Sequence, residues 1–305
     1  MSDKEQTRCG FIALAGAPNA GKSTLLNQLV GQKISIVTHK VQTTRAVLRA
    51  AIIVNYSQLI FVDTPGIFDP IKRLERAMVT AAWSGVRDAD VVVLIVDCAS
   101  KQHLQSSFEI AKALSEKSRT AILVLNKIDL IDRAKLLKIT AQFSDQCNFD
   151  ATFMLSALSG DGVDDLKIHL AELVPVSPWM YPEDHLTDLP MRMLASEITR
   201  EKLFLNLHDE LPYALSVETE SWRELKDGSV RVEQTIYVQR ESQRAIVLGR
   251  GGQQIKNISS VARSEIGKLI DCTVHLFLFV KVRPKWTDDP ARYRGIGLDF
   301  DRETL

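Results

Sequence analysis

Short runs of mostly apolar residues, separated by longer polar segments, mark the first half of the chain. They occur at 11–15, 59–62, 91–96, 121–125 and 152–155. Apolar runs without alternation are typical of strands that are buried on both faces, as in a parallel sheet. Helical segments fit between the runs, and the first, at 24–30, should end at Gly31. This alternation predicts a doubly wound α/β domain with its ligand at the carboxyl ends of the strands.

A different pattern follows residue 190. Residues 230–237 alternate between apolar and polar and predict a half-exposed strand, with Asp227-Gly228 as the hairpin turn before it. Apolar residues at helical spacing predict a buried helix stripe: Ile255, Ile258, Ala262, Ile266 and Leu269. The expected order is helix (191–207), strand (213–222), strand (229–238), helix, helix and strand (272–282). This half of the chain therefore predicts an α+β domain.

A proline-rich segment separates the two patterns. Four prolines lie between residues 175 and 190, with Trp179 and Tyr181 among them. Such proline spacing favours a semi-rigid, extended connector, and we expect Trp179 to pack on one of the domains. The expected division is a first domain at 1–174, the connector at 175–190, a second domain at 191–283 and a tail at 284–305.

Composition restricts the class of protein and its partners. The 305 residues are 45% hydrophobic, which is enough for two domains with sizeable cores. Basic and acidic residues number 38 each, so a nucleic-acid partner would have to bind a local patch. Four scattered cysteines without a C-x-x-C pair indicate reduced thiols. The first six residues lack the apolar core of a signal peptide, and no apolar run is long enough to span a membrane, which favours a cytoplasmic protein.

The loop after the first predicted strand carries the most specific motif. Residues 16–23 spell G-x-x-x-x-G-K-S between a strand and a helix, the setting of a phosphate-binding loop. Lys22 can reach the β- and γ-phosphates, and the Ser23 hydroxyl can ligate Mg²⁺. A chance glycine turn is the alternative, but strand, loop and helix all in register disfavour it. The expected nucleotide contacts here are Gly16, Asn19, Ala20, Gly21, Lys22, Ser23 and Thr24.

Further magnesium ligands are expected nearby. The strand at 59–62 runs into Asp63-Thr64-Pro65-Gly66, where Asp63 is placed to hold Mg²⁺ through water and the Gly66 N–H to contact the γ-phosphate. One threonine of the polar stretch Gln42-Thr43-Thr44-Arg45 should complete the metal shell. We favour Thr44, with Thr43 as the alternative. The predicted metal ligands are Ser23, Thr44 and Asp63, and the residues expected to act in hydrolysis are Lys22, Thr44 and Gly66.

The identity of the base is predicted by Asn126-Lys127-Ile128-Asp129, which follows the strand at 121–125. The Asp129 carboxylate can accept from both N1–H and N2–H₂ of guanine, whereas adenine would leave a buried charge unpaired. The Lys127 stem can lie along the base, and Asn126 can tie this loop to the phosphate loop. The backbone N–H groups of the loop at Ser156-Ala157-Leu158 could contact the guanine carbonyl oxygen. GTP and GDP are therefore the expected ligands.

Together these motifs resemble the GTPase domain of translation-factor type over residues 8–175. In GTPases of the Ras type a glutamine follows the glycine and orients the attacking water. Here that position holds Ile67, so hydrolysis should be slow or use another group. In related GTPases that share the P-N-x-G-K-S loop, the asparagine helps bind potassium, which suggests this role for Asn19. The alternative is that Asn19 only caps or stiffens the loop.

A second motif lies in the α+β half. Residues 249–252 spell G-R-G-G between two predicted helices, after a hairpin and before a final strand, and this arrangement resembles a type II KH domain. Such a loop clamps about four nucleotides of single-stranded RNA. No acidic residue lies between 242 and 264, so the stretch is locally basic. A solvated helix face is the alternative for Lys256 and Arg263. The expected RNA contacts are Arg244, Gly249, Arg250, Gly251, Gly252, Ile255 and Lys256, with Ile246 and Ile255 in a groove for unpaired bases.

A GTPase domain followed by a KH domain resembles the Era family of bacterial ribosome-assembly GTPases nearly end to end. The resemblance implies a monomer that binds the 3′ end of small-subunit ribosomal RNA, assists maturation of the small subunit and associates peripherally with the inner membrane. It implies a switch in which GTP and Mg²⁺ order the loops around Thr44 and Gly66. RNA affinity could then depend on the nucleotide through the connector.

Two other functions stay open. One is a GTPase that acts in RNA modification, although no additional catalytic cluster appears in residues 191–305. The other is an RNA- or membrane-bound scaffold with a spent nucleotide site. Four intact residues disfavour it: Lys22, Ser23, Asp63 and Asp129.

Overall fold

The computed structural model describes residues 6–38, 40, 43–45, 47–71, 73–117, 121–145, 147–209 and 211–284. These residues form two compact units. The first unit contains 6–35 and 44–188, and the second contains 189–284 together with the described part of Ile36–Thr43. Gln42, the N-terminal residues 1–5 and the predicted tail beyond 284 lie outside the described residues.

In its described residues, the first unit contains a sheet with the order β2-β3-β1-β4-β5-β6. The strands are β1 (Arg8–Ala15), β2 (Leu48–Val54), β3 (Ser57–Asp63), β4 (Val91–Asp97), β5 (Ala121–Asn126) and β6 (Phe149–Leu155). The helices are α1 (Lys22–Val30), α2 (Arg73–Asp88), α3 (Lys101–Glu116), α4 (Arg133–Ser144) and α5 (Val163–Leu173). Every neighbouring pair of strands is parallel except β2 and β3. The doubly wound α/β architecture is confirmed.

The edge strand β2 is missing from the sequence prediction. It runs antiparallel to β3 and is joined to it by a short turn in which Asn55 has a φ of 53°. The exposed Arg49 interrupts its apolar residues near the start, and residues 50–54 then form a continuous apolar run of five residues. This run, followed by a short turn at Asn55, was a local signal that the sequence analysis did not use.

The carboxyl ends of the parallel strands bring the polar residues of the candidate site to one edge of the sheet. Gly16 follows β1, Asp63 ends β3, Asp97 ends β4, Asn126 ends β5 and Ser156 follows β6. Because parallel strands end at the same edge, residues far apart in sequence meet there. The apolar runs themselves form the buried centre of the unit.

The proline-rich segment packs on the first unit through Gln58 of β3. The buried side chain of Gln58 accepts from the backbone N–H groups of Met180 (2.8 Å) and Tyr181 (3.0 Å) and donates to the Tyr181 carbonyl (2.8 Å). Trp179 donates its indole N–H to the Tyr56 carbonyl at 3.1 Å. The expected docking of Trp179 is therefore confirmed, and its site is on the first unit.

The described residues of the second unit pair three helices with a sheet of order β7-β8-β9. The elements are α6 (Met191–Asn206), β7 (Ser216–Glu224), β8 (Val230–Val238), α7 (Glu241–Leu248), α8 (Gln253–Leu269) and β9 (Val274–Val282). β7 and β8 are antiparallel, whereas β8 and β9 are parallel. The predicted α+β order of helix, strand, strand, helix, helix and strand is confirmed.

The apolar stripe predicted for α8 holds this unit together. Ile258, Ala262 and Ile266 are buried, and Ile255 and Leu269 at the ends of the stripe are partly buried. Ala262 and Ile266 pack with residues of α6 and the sheet, and Ile258 packs with residues of α7, β7 and β8.

One predicted strand begins later than expected. The sequence predicts a strand from residue 213, but Leu211–Ala214 form a 3₁₀ turn and β7 begins at Ser216. Pro212 lies in this turn, where its fixed φ and missing N–H suit a turn better than a strand. The hairpin turn itself lies where predicted, with Gly228 at a φ of 80°.

We predict that Gln58→Leu lowers the free energy of unfolding of the first unit by about 2 kcal/mol, because the connector N–H groups lose their acceptor. The urea midpoint followed by circular dichroism measures this. Gln102→Leu on the exposed side of α3 is the matched control and should change stability by less than about 0.5 kcal/mol. Equal midpoints for the two variants would contradict the prediction.

Candidate nucleotide site and RNA-binding loop

The phosphate loop depends on two glycines whose backbone other residues rarely adopt. Gly16 has a φ of 152° and Gly21 a φ of 100°. A Cβ on Gly16 would lie 2.4 Å from the carbonyl oxygen of Ile95, and one on Gly21 would lie 2.2 Å from Nδ2 of Asn126. The loop can therefore sit this close to β4 and β5 only with glycine at both positions.

Lys22 is buried inside the loop. Its Nζ donates to the carbonyl oxygens of Gly16 (3.1 Å) and Ala17 (2.9 Å). Burial lowers the pKa of the Lys22 ammonium to about 8, although the charge of Asp63 acts in the opposite direction. An ammonium with this little hydration is well suited to an anionic phosphate, which would replace the lost solvation.

Asp63 is completely buried at the end of β3. Its Oδ2 accepts from the hydroxyls of Ser23 (3.0 Å) and Ser35 (2.9 Å). Its Oδ1 has no hydrogen-bond partner among the described residues. Burial raises the pKa of Asp63, and Lys22 and the two hydroxyls oppose that rise. A buried carboxylate with one unsatisfied oxygen, surrounded by hydroxyls, fits a hard cation such as Mg²⁺.

The structure distinguishes between the two candidate threonines. Oγ1 of Thr44 lies 3.0 Å from Oγ of Ser23, within hydrogen-bond distance. The hydroxyl of Thr43 instead lies 2.7 Å from both the Thr38 hydroxyl and the Lys40 carbonyl. Thr44 therefore belongs to the cluster of Ser23 and Asp63, as the sequence analysis favoured, and Thr43 does not.

Gly66 lies against the phosphate loop. A Cβ at this position would be 2.9 Å from three atoms of Pro18, so the approach requires glycine. The N–H of the next residue, Ile67, donates to the Gly16 carbonyl at 3.1 Å. The Ile67 side chain is buried in the apolar core of the unit and is only 7% exposed. It therefore packs inward and offers no polar group to a water molecule.

Asn126 connects three loops: the phosphate loop, the loop after β6, and its own loop at 126–129, which we call the base-recognition loop. Its Nδ2 donates to the Ala20 carbonyl at 2.8 Å, and its Oδ1 accepts from the Ala157 N–H at 3.0 Å. The side chain is 1% exposed, so both hydrogen bonds are shielded from water. The expected link between the base-recognition loop and the phosphate loop is present, and it extends to the loop after β6.

Lys127 forms a second link, through a residue that the sequence analysis missed. Its Nζ donates to the Asn19 carbonyl (2.9 Å) and to Oδ2 of Asp97 (2.7 Å), and Asp97 also contacts His103 at 2.8 Å. Burial alone would raise the pKa of Asp97, but its hydrogen bonds to Lys127 and His103 outweigh burial and lower it. Asp97 directly follows a predicted apolar strand, and this position was the available signal.

Asn19 holds a strained backbone within the same link. Its φ of 61° is left-handed, which non-glycine residues adopt infrequently. Because its carbonyl accepts from Lys127, the strained turn is fixed to the base-recognition loop.

The residues predicted to recognise guanine lie in two loops, one after β5 and one after β6. Asp129 is exposed in a 3₁₀ turn, Ile128–Leu130. The N–H groups of Ser156 and Ala157 already donate to the Asp161 carbonyl and to Asn126, both at 3.0 Å. Those two residues therefore shape the loop, and the N–H of Leu158 has no partner among the described residues.

The G-R-G-G loop of the second unit has the backbone that its glycines permit. Gly249, Gly251 and Gly252 have φ values of 73°, 59° and 76°. A Cβ on Gly249 would lie 2.5 Å from Cβ of Gln254, whereas Gly251 and Gly252 face open space. The loop thus joins α7 to α8 tightly on one side and leaves bare backbone on the other, where a sugar-phosphate chain could approach.

The basic side chains around this loop differ in availability. Arg250, Lys256 and Arg263 are exposed, whereas Arg244 shares a hydrogen bond of 3.3 Å with Glu241. Of the two isoleucines predicted to line a groove, Ile246 is 57% exposed and Ile255 is partly buried beside the core.

The segment Ile36–Thr43 was expected within the first domain, but it groups with the second unit. The Val37 N–H donates to the Glu201 carboxylate at 2.9 Å, Lys40 donates to the carbonyls of Phe204 and Leu207, and Arg200 donates to the Thr43 carbonyl. Helix α6 thus holds the residues that directly precede Thr44. Sequence periodicity carries no signal for contacts of this kind.

Comparison with known proteins identifies the family. The family model described as 50S ribosome-binding GTPase matches residues 11–127, and the KH domain model matches residues 210–287. GTPase Era of Rhizobium meliloti (strain 1021) is 57% identical over 97% of this chain and 94% of its own length. GTPase Era of Bradyrhizobium sp. (strain ORS 278) is 58% identical over 97% of this chain and 96% of its own. The chain belongs to the Era family of GTPases.

Solved Era structures have the same fold. A variant of Aquifex aeolicus Era bound to GDP·AlF₄⁻ is similar with a TM-score of 0.89, at 32% identity over 96% of this chain and 100% of that one. Era in complex with MgGDPNP and nucleotides 1506–1542 of 16S ribosomal RNA has a TM-score of 0.90, at 34% identity over 96% and 99%. The predicted fold, a P-loop GTPase domain followed by a KH domain, is confirmed.

Within the described part of the chain, no helix is both long and apolar enough to cross a membrane.

We predict that Gly16→Ala weakens GTP binding by about 10- to 100-fold, because strain of ~1–3 kcal/mol distorts the loop. The matched control is Gly31→Ala at the end of α1, where φ is 79° and a Cβ would meet nothing within 4 Å. That variant should keep the GTP affinity of the original chain. Calorimetric titration with GTP measures both, and equal affinities for the two variants would refute the assigned role of Gly16.

Proposed function

We propose that this chain is a GTP-hydrolysing switch that binds the single-stranded 3′ end of small-subunit ribosomal RNA and assists assembly of the small subunit. The observation that carries the proposal is the buried Lys22 of the phosphate loop, together with the hydrogen bond from Ser23 to the buried Asp63, in a chain that also holds a G-x-x-G loop between helices. The similar Era structure bound to MgGDPNP and 16S ribosomal RNA supports both halves.

Magnesium would be held by Ser23, Thr44 and Asp63. The Thr44 hydroxyl and the Asp63 carboxylate both contact the Ser23 hydroxyl. The other oxygen of Asp63 has no hydrogen-bond partner among the described residues. A bound Mg²⁺ neutralises the negative charge of the phosphates. The hydrogen bonds of Ser23 to Thr44 and Asp63 would hold these ligands in place.

Phosphate binding would use Lys22 and the backbone of the loop. The expected contacts are Gly16, Asn19, Ala20, Gly21, Lys22, Ser23 and Thr24, with the Gly66 N–H at the γ-phosphate. Phosphoryl transfer requires little from protein groups beyond positioning and electrostatic stabilisation. Lys22, Thr44 and Gly66 would supply these to the transferred group.

Guanine would be selected by Asp129, with Asn126 and Lys127 as supports. Asn126 and Lys127 fix the base-recognition loop to the phosphate loop, so the distance between base and phosphate sites is set by the protein. Ser156 and Ala157 shape the third loop, and the open N–H of Leu158 is the available donor to the guanine carbonyl.

The RNA would lie on the G-R-G-G loop. Gly249, Gly251 and Gly252 give bare backbone for close approach, and Arg250 and Lys256 supply charge that the balanced composition lacks. Arg244 and Ile255 lie beside this loop on α7 and α8. A loop of this kind clamps about four nucleotides, far fewer than nucleotides 1506–1542 in the similar complex.

Nucleotide state would reach the RNA-binding unit through the segment Ile36–Thr43. Ser35 and Thr44 bracket this segment and belong to the cluster around Asp63. Its inner residues are bonded to α6. A change in the metal shell therefore acts on a segment that α6 already holds, in addition to the proline-rich connector.

Location and assembly state follow from the family resemblance alone. We propose a cytoplasmic monomer with peripheral contact to the inner membrane.

Hydrolysis is proposed to use potassium beside Asn19, because the inward-facing Ile67 cannot orient water. Single-turnover GTP hydrolysis should be slow, and faster in potassium than in sodium buffer. Repeating the assay with the ribosomal RNA segment tests whether bound RNA changes the rate of GTP hydrolysis. Equal rates in the two salts would exclude potassium, and no turnover under any condition would favour the scaffold alternative.

We predict that Asp129→Asn lowers GTP affinity by about 100-fold, because a charge-assisted pair of hydrogen bonds is lost. The variant should gain xanthosine triphosphate, whose C2 carbonyl can accept from the new amide. Asp132→Asn is the matched control, since Asp132 pairs with the exposed Lys135 at 3.0 Å. Competition binding with both nucleotides measures the change, and a retained preference for GTP would refute guanine recognition by Asp129.

We predict that Arg250→Ala weakens RNA binding and reduces the slope of log affinity against log salt by about one. Lys268→Ala near the far end of α8 removes the same charge and serves as the control. Fluorescence anisotropy with the 3′-terminal ribosomal RNA at several salt concentrations measures both. If the two variants lose affinity equally, the G-R-G-G loop is not the site of contact.

A further inference from the structure

The two faces of the edge strand β9 have different surroundings. Val274 and Leu276 are buried against the helices of the second unit. The alternate residues point to the other face, where Phe277 is 40% and Phe279 is 50% exposed. Two large aromatic rings side by side on an open sheet face cost free energy unless something covers them in use.

On β9 itself, this face carries a histidine and a lysine and no carboxylate. His275 and Lys281 are exposed at either side of the two rings. On the neighbouring strand, the Arg231 guanidinium lies over the Phe277 ring at 4.3 Å from its centroid. Glu233 lies opposite Phe277 on the same sheet and pairs with Arg231 at 2.8 Å.

We infer that this face is a second RNA-binding surface, on which unpaired bases stack beyond the nucleotides held by the G-R-G-G loop. We call it the β9 platform, and it consists of Arg231, His275, Phe277, Phe279 and Lys281. The inference rests on the RNA binding proposed above.

The chemistry of the β9 platform fits RNA. An aromatic ring stacks on the flat face of any base, and sheets that present such rings stack two or three bases in other RNA-binding folds. Lys281 can attract phosphates that run beside the stacked bases. A guanidinium held flat against a ring extends the stacking surface.

The position of the β9 platform also fits RNA. The helices α7 and α8, which flank the G-R-G-G loop, pack against β9 through a cluster that includes Ile255, Val280 and Val282. β9 is the edge of its sheet. RNA longer than the about four nucleotides that the loop clamps can therefore continue over this edge onto the platform.

The test uses the full chain and a series of single-stranded RNAs from the 3′ end of small-subunit ribosomal RNA, from four nucleotides upward. Affinity is measured for the original chain, for Phe277→Ala with Phe279→Ala, and for Phe279→Leu, which keeps apolar area but loses the ring. Val261→Ala, an exposed apolar residue on α8, is the control. Thermal melting checks that each variant is folded.

We expect the double variant to bind the shortest RNA normally and to lose about tenfold in affinity per ring on longer RNA. Phe279→Leu should also lose affinity for longer RNA, as removal of the ring by alanine does, because leucine cannot stack on a base. Unchanged affinity at every length would overturn the inference, and so would an equal loss on the shortest RNA. A dimer of the original chain that the double variant dissolves would assign the face to a second copy of this chain instead.

Failure of the proposed function would look different. If the original chain bound none of these RNAs, RNA binding itself would be refuted. If Arg250→Ala weakened binding but the phenylalanine variants did not, the β9 platform alone would be refuted.

Discussion

The burial of Asp63 beside Lys22 is the constraint on which the nucleotide site depends. Two opposite charges placed out of water are costly unless their remaining bonding capacity is used. Lys22 donates hydrogen bonds to carbonyls of the phosphate loop. One oxygen of Asp63 accepts from Ser23 and Ser35, and the other has no partner among the described residues. In the proposed function, a metal ion would bind the unsatisfied oxygen of Asp63 and an anionic phosphate would bind Lys22.

The cluster around Asp63 also lies at both ends of the segment Ile36–Thr43. Ser35 and Thr44 contact the Asp63 cluster and lie at the two ends of Ile36–Thr43. Between them, the Val37 N–H and the Thr43 carbonyl are bonded to Glu201 and to Arg200 of α6. Thr44, the proposed metal ligand, directly follows Thr43, whose carbonyl accepts from Arg200. We propose that this segment carries a change at the metal site to α6.

The sequence predicted what local patterns encode. Continuous apolar runs predicted β1, β3, β4, β5 and β6, and fixed spacings predicted the phosphate loop, Asp63, Asn126 and the G-R-G-G loop. It missed β2, Ser35, Asp97 and the bonds of α6 to Ile36–Thr43. β2 pairs with the adjacent β3 across a short turn, whereas the other three depend on residues that lie far apart in the chain, such as Asp97 and Lys127 at the ends of neighbouring parallel strands. A pairing of this kind leaves no periodic trace, because its signal is one polar residue at the end of a strand.

The central claim is that the state of the Asp63 cluster changes RNA binding in the second unit. The direct measurement is the affinity of the full chain for the 3′-terminal ribosomal RNA segment, at fixed salt and with Mg²⁺, in the presence of either a non-hydrolysable GTP analogue or GDP. The account predicts different affinities, and by linkage RNA should alter the affinity for the analogue by the same factor. Indistinguishable RNA affinities with the two nucleotides would contradict it.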